Sequence, residues 1–167
     1  YRKKIPVWLV NSNKLNKNVL IGIDPSEDAL KAAEYAGFML SDTNCRVTLF
    51  HSYRGLQRFL PKEVLDAHPN SEIEKIWYQM AGREVVSYIE KAREMLIHSG
   101  FKESLITSRQ VEGSRSAAHD ILEEALKMNC GTIILGRRGL SGIKELIMGS
   151  VTRKIIHHSK GMTICVV

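Results

Sequence analysis

Nowhere does this 167-residue chain hold the roughly 20 consecutive apolar residues that would span a bilayer. No segment reads as a secretory leader, and a first residue of Tyr1 rather than Met is what an excised or processed piece would show. Cysteine is scarce: Cys45, Cys130 and Cys165 are odd in number and widely spaced, with no C-x-x-C. That argues against a disulfide framework or a zinc site and for a reducing, cytoplasmic setting, with each thiol a small hydrophobe. The Walker pattern G-x-x-x-x-G-K-S/T is absent, as is a G-x-S-x-G elbow around Ser141 or Ser150. No carboxylate pair accompanies Ser150. His157 and His158 are adjacent, so on a helix they diverge by roughly 100° and make a poor metal pair. No catalytic residue and no metal ligand is assigned.

The formal charge of +6 suggests a nucleic-acid partner until its distribution is examined. Residues 1–17 hold five basic side chains (Arg2, Lys3, Lys4, Lys14 and Lys17) and no acid, which leaves +1 over residues 18–167. A near-neutral body with a basic arm lacks the basic stripe that nucleic-acid binding needs, so that partner is not expected. Asp120, Glu123 and Glu124 read as a solvated helix face.

What is present is alternation. Val19 to Ile23 is a short apolar run that reads as a strand buried on both faces. Ser26 or Asp24 can cap the following helix, with Glu27 and Asp28 in its first turn and Ala29, Ala33, Ala36, Gly37 and Leu40 on its buried face. Further strands are expected at Val47 to Phe50, Leu105 to Val111, Thr132 to Leu135 and Met162 to Val166. Helices are expected over about 72–99, along Ala118 to Met128 and over about 151–158. Gly100 should stop the long helix and Gly113 make a turn. Residues 53–72 break the rhythm and read as a long connection with a short helix near Lys62 to Ala67. This alternation calls for a parallel sheet with helices on both faces. Such open sheets bind ligands beyond the carboxyl ends of their strands.

Asp24 and the segment Gly136 to Ser150, GRRGLSGIKELIMGS, both fall at that edge. Successive N–H groups of a glycine loop can wrap an anion, and Ser150 with Val151 opens a helix whose free N–H groups favour phosphate. Arg138 can add charge. Asp24 only accepts hydrogen bonds when ionised, so it suits ribose hydroxyls or an adenine amino group and not a phosphate.

The spacing Gly136-x2-Gly139-x9-Gly149-Ser150 resembles the motif of the ATP-binding universal stress proteins, as do TIILGRRGLSGIKELIMGSVTRKIIHHSKGMTICVV and NVLIGIDPSEDALKAAEYA over much of residues 18–167. The resemblance implies an open five-stranded, Rossmann-like parallel sheet in the order 3-2-1-4-5, of the adenine-nucleotide alpha-hydrolase-like kind. It implies adenine near Gly22, Ile23, Asp24 and Ser52, and phosphates over Gly136, Gly139, Gly149, Ser150 and Val151, with Leu135 and Arg138 also at the nucleotide site. The ligand would be ATP, ADP or AMP, with or without Mg2+. Residues 53–75 look like an insertion. The implied role is a stress-response module that signals through nucleotide-dependent conformation or dimerisation. A slow ATPase and a ligand-free dimeric module are the alternatives.

Family members also occur as tandem copies, and Arg2 to Val10, RKKIPVWLV, resembles the chain's own final strand, SKGMTICVV. Residues 1–17 are therefore expected to be an arm carrying the last strand of a preceding domain, with 18–167 as the domain proper. An exposed strand seeks a sheet edge, so Ile5 to Val10 should pair at the fifth-strand edge, where a homodimer or tandem pair would form.

Overall fold

The computed structural model describes residues 5–11, 16–54, 62–67, 72–113, 115–139 and 148–167. Its elements are β1 (Val7–Leu9), β2 (Asn18–Gly22), α1 (Glu27–Leu40), β3 (Arg46–Arg54), α2 (Lys62–Ala67), α3 (Glu72–His98), β4 (Ile106–Gly113), α4 (Ala117–Lys127), β5 (Thr132–Leu135), α5 (Ser150–His158) and β6 (Thr163–Val166).

β2, β5, β6 and the first half of β3 are apolar on both faces because both faces are covered, whereas the edge strand β4 is largely exposed. Val19, Ile21, Val47, Leu49, Ile134 and Cys165 face one core, completed by Leu30 and Ala33 of α1 and by Val85, Ile89, Ala92 and Leu96 of α3. Leu20, Phe50, Ile133, Leu135, Ile164 and Val166 face the other, with Ala118, Ile121 and Ala125 of α4 and Ile155 of α5. Strict alternation of side chains along each strand produces this division. The largest of these side chains, Phe50, is 1% exposed. Truncating it to alanine should cost about 3–5 kcal/mol.

The sheet order is β1-β6-β5-β2-β3-β4. Every contact from β4 through β6 is parallel, and counted along β2 to β6 this is the order 3-2-1-4-5. The strand count differs from five. β1 adds a sixth strand, antiparallel to β6, with Val7 opposite Val166, Trp8 opposite Cys165 and Leu9 opposite Ile164. A parallel neighbour needs a crossover of a dozen or more residues, whereas an arm that arrives from the far side can lie antiparallel at once. Trp8 anchors it: its indole Nε1 donates to the Tyr35 hydroxyl on α1 at 3.0 Å.

Two boundaries moved. β3 runs to Arg54 rather than Phe50, because β4 pairs with it continuously from Val47–Ile106 to Arg54–Gly113. Gly113 therefore closes a strand and does not make the turn itself. In the expected insertion, residues 53 and 54 end β3, and Lys62–Ala67 forms the short helix. Residues 55–61 and 68–71 lie outside the described residues, as do 140–147 of the glycine loop. Among the described residues, no helix is long and apolar enough to cross a membrane.

Candidate functional site

β2, β3 and β5 are consecutive in the sheet, and their carboxyl ends open into one cavity of about 270 Å³. Gly22, Ile23, Asp24, Ser52, Leu135, Gly136, Arg138, Gly139, Gly149, Ser150 and Val151 all line it. So does His51, which ends a strand near the expected site, and so do Ala29, Phe50, Arg54, Ala117, Ile121 and Thr152, which the sequence did not point to. Alternation along β3 would have found Phe50 and Arg54 from Ser52, since all three face α4. Helical spacing links Ala117 to Ile121 in the same way.

At the start of α1, Ser26 rather than Asp24 is the N-cap. Its hydroxyl accepts from Ala29 N at 3.2 Å and donates to the Asp24 carboxylate. One serine thus caps the helix and aims the acid. The carboxylate lies beside Gly139, where an added Cβ would strike Asp24 Oδ2. Asp24 therefore flanks the glycine loop, closer to the expected phosphate path than its acceptor chemistry alone suggested. Gly136 has a different task. A Cβ there would lie 2.5 Å from the Asp28 carbonyl carbon and 2.9 Å from Ala29 N, so the glycine lets β5 end directly against α1.

The N terminus of α5 faces the cavity. Its N-cap is Gly149, and no side chain caps it, whereas α1 and α4 are capped by Ser26 and Ser116. The loop is drawn onto this end by Gly149 N donating to the Arg137 carbonyl at 2.8 Å and Arg137 N donating to the Val167 carbonyl at 2.8 Å. Arg138 lines the cavity, and the Nε atoms of Arg137 and Arg138 are buried with no hydrogen-bond partner. Buried donors without acceptors are costly. A helix N-terminus with no side-chain cap, in a cavity that Arg138 also lines, is a place that favours an anion.

At the other end, His51 Nδ1 donates to the Ile23 carbonyl at 2.7 Å. Burial pulls the His51 pKa below its ordinary 6.5, against the raising influence of that carbonyl and of Asp24. His51 is therefore a neutral, locally bonded ring. The acids of α4 are not a solvated face. Asp120 and Glu124 are 6% and 5% exposed. Asp120 accepts from Ser52 Oγ at 2.6 Å, and Glu124 pairs with Arg109 at 2.7 Å. Only Glu123 fits that expectation. The hydrophobic pattern of α4 hid this, because burial of an acid depends on a partner from another element. Among the described residues, no cluster of three or more histidine, cysteine or acidic side chains could hold a metal.

A model described as the universal stress protein family matches residues 15–166. Universal stress protein YxiE of Bacillus subtilis is 25% identical over 147 residues, which cover 82% of this chain and 89% of the relative. The solved structure of hypothetical protein MJ0577 superposes with a TM-score of 0.71 at 25% identity, covering 92% of this chain and 96% of that one. A universal stress protein solved in complex with cAMP superposes at 0.62 with 24% identity, covering 90% and 95%.

Proposed function

The chain belongs to the universal stress protein family, and from that premise we propose that its cavity holds an adenine nucleotide of the ATP, ADP or AMP class. The phosphates lie over Gly136, Arg138, Gly139, Gly149, Ser150 and Val151, and the nucleoside lies toward Gly22, Ile23, Asp24 and Ser52. The observation that carries this reading is the Arg138 Nε, buried without an acceptor in a residue that lines the same cavity as the uncapped end of α5. A phosphate oxygen supplies what both lack. The cAMP complex of a related fold supports the choice of ligand class. Where Mg2+ accompanies the nucleotide, the Asp24 carboxylate beside Gly139 would supply an oxygen ligand and the ion would neutralise phosphate charge.

We further propose that residues 1–17 are an arm belonging to a preceding copy of the domain and that 18–167 are the domain itself. The antiparallel β1–β6 pairing supports this. The same edge, which β1 covers, is where a tandem pair would join, or a homodimer once β1 is displaced. Nucleotide binding would then bias conformation or pairing, which a partner reads.

The test is to denature freshly purified protein and identify released nucleotide by chromatography and mass spectrometry, then to titrate ATP with Mg2+ into emptied protein. About one adenine nucleotide per chain, or saturable ATP binding, is the expected result. A protein that arrives empty and binds no nucleotide would move the assignment to the ligand-free dimeric module. Mg2+-dependent turnover lost on Asp24→Asn would move it to the slow ATPase.

A further inference from the structure

Ser52 is the third-from-last residue of β3, on the side of the sheet that faces α4. Its Oγ donates to Asp120 Oδ2 at 2.6 Å, within the range of a charge-assisted bond. Asp120 is 6% exposed and sits in the first turn of α4, where the helix dipole favours an acid. Space for the pair comes from Gly113. A Cβ on that residue would fall 2.5 Å from Ser52 Oγ and 2.6 Å from Asp120 Oδ2.

A hydroxyl has one proton, and an ionised carboxylate only accepts. With its proton committed to Asp120, Ser52 Oγ can offer the cavity lone pairs alone. The group that meets it there must be a donor.

Where that donor lies on the ligand follows from the sheet. The phosphate end is beyond β5, Ser52 is on β3, and β2 lies between them. Two strand spacings, roughly 10 Å, separate the two ends, a gap that a ribose bridges. Phe50, Ala117 and Ile121 line the cavity beside Ser52 and give an apolar wall for a flat ring.

We propose that Asp120 is a positioning residue for base selection: it holds the Ser52 hydroxyl as an acceptor, and the site thereby selects a base that presents an amino group over one that presents a carbonyl. Adenine fits, and hypoxanthine is the matched analogue that does not. This rests on the nucleotide reading above, and it names the atom that discriminates.

The experiment is calorimetric titration of the whole chain with ATP, ITP and 2′-deoxy-ATP, each with Mg2+. It is run on the wild type, Asp120→Asn and Ser52→Ala, with a thermal melt to confirm folding. The wild type should prefer ATP over ITP by about tenfold or more, because the carbonyl analogue sets two acceptors against each other. In Asp120→Asn an amide N–H can donate to Ser52, releasing the serine proton toward the cavity. The ATP-to-ITP ratio should then fall toward one or invert. Ser52→Ala should lose the preference without the inversion, and it keeps the test open if the Asp120 variant does not fold. Equal wild-type binding of ATP and ITP overturns the proposal alone. So does an Asp120→Asn protein whose affinities fall by one common factor with the ratio unchanged, which is the signature of a merely structural acid. A selective loss of 2′-deoxy-ATP with ITP retained assigns Ser52 to the ribose and also overturns it. Failure of all three ligands to bind overturns the nucleotide reading itself.

Discussion

Thr152 Oγ1 donates a 3.0 Å hydrogen bond to the Gly136 carbonyl, tying the first turn of α5 to the residue that follows β5. Thr152 is 4% exposed, so water cannot replace the bond. It joins the two ends of the glycine loop and sets the distance across which an anion would be held. Thr152→Val keeps the shape and removes the donor. It should lower stability by about 1–3 kcal/mol in urea unfolding and weaken ATP binding in titration. Unchanged affinity would show that the loop ends are held by other contacts.

Two glycines of one motif should respond differently. Gly136→Ala drives a Cβ into the backbone of Asp28 and Ala29, which cannot move without shifting α1. A stability loss of about 1–3 kcal/mol is expected, as for other overpacked sites. Gly139→Val meets the Asp24 side chain, which can swing aside. Its melting temperature should stay near the wild-type value while nucleotide binding is lost. Gly149 lies between these cases, since its missing Cβ faces Arg137 and Arg138 of the loop at 3.3–3.4 Å. Gly149→Val should therefore act by opening the loop, and crystallography of that variant would show it.

His51 makes stability depend on pH in one direction. Its folded pKa lies below the ordinary 6.5, chiefly because it is buried. As pH falls below 6.5 the unfolded chain takes up a proton that the folded one resists, so stability present above 6.5 is lost as pH falls through the lower folded value. Urea midpoints between pH 8 and 5 should fall with pH, and more steeply for the wild type than for His51→Gln.

Burial raises the Cys130 thiol to about 11 and the Cys165 thiol to about 12. The thiolate is the reactive form. Both should resist iodoacetamide at pH 8 in the folded protein and react fully in denaturant, as read by mass spectrometry. Modification of Cys165 in the native state would show that the β5–β6 core opens locally.

Residues 1–11 include β1, which covers the β6 edge. Their removal leaves unpaired N–H and C=O groups along Thr163–Val166, and such edges seek partners. Sedimentation velocity should show concentration-dependent self-association of the shortened chain. Tyr35→Phe, which removes the acceptor of the Trp8 N–H, should weaken the docking of β1 by about 1 kcal/mol.

The strands and helices were legible because their signals are local. VLIGI and TIIL are short apolar runs, Ser26 precedes a helix with acids in its first turn, and Val85, Ile89, Ala92 and Leu96 recur at helical spacing. Gly100, with φ near +101°, ends α3 where a left-handed residue was expected. The strand order came from the family resemblance, since periodicity alone leaves several right-handed topologies open. The extent of β3 was not legible, because HSYR carries no apolar alternation. It is a strand only because β4 pairs with it.

Local sequence set the element types, the position of the glycine loop after a buried strand, and the presence of Asp24 after another. These depend on neighbours a few residues away, where side-chain period and capping chemistry act. Tertiary structure alone decided that Gly136 is packed against α1, that Asp120 is buried and bonded to Ser52, and that β1 lies antiparallel on β6. Each depends on a partner 68 to 159 residues distant in the chain. No local pattern encodes such a partner. It is set by which surfaces remain to be covered once the sheet has formed.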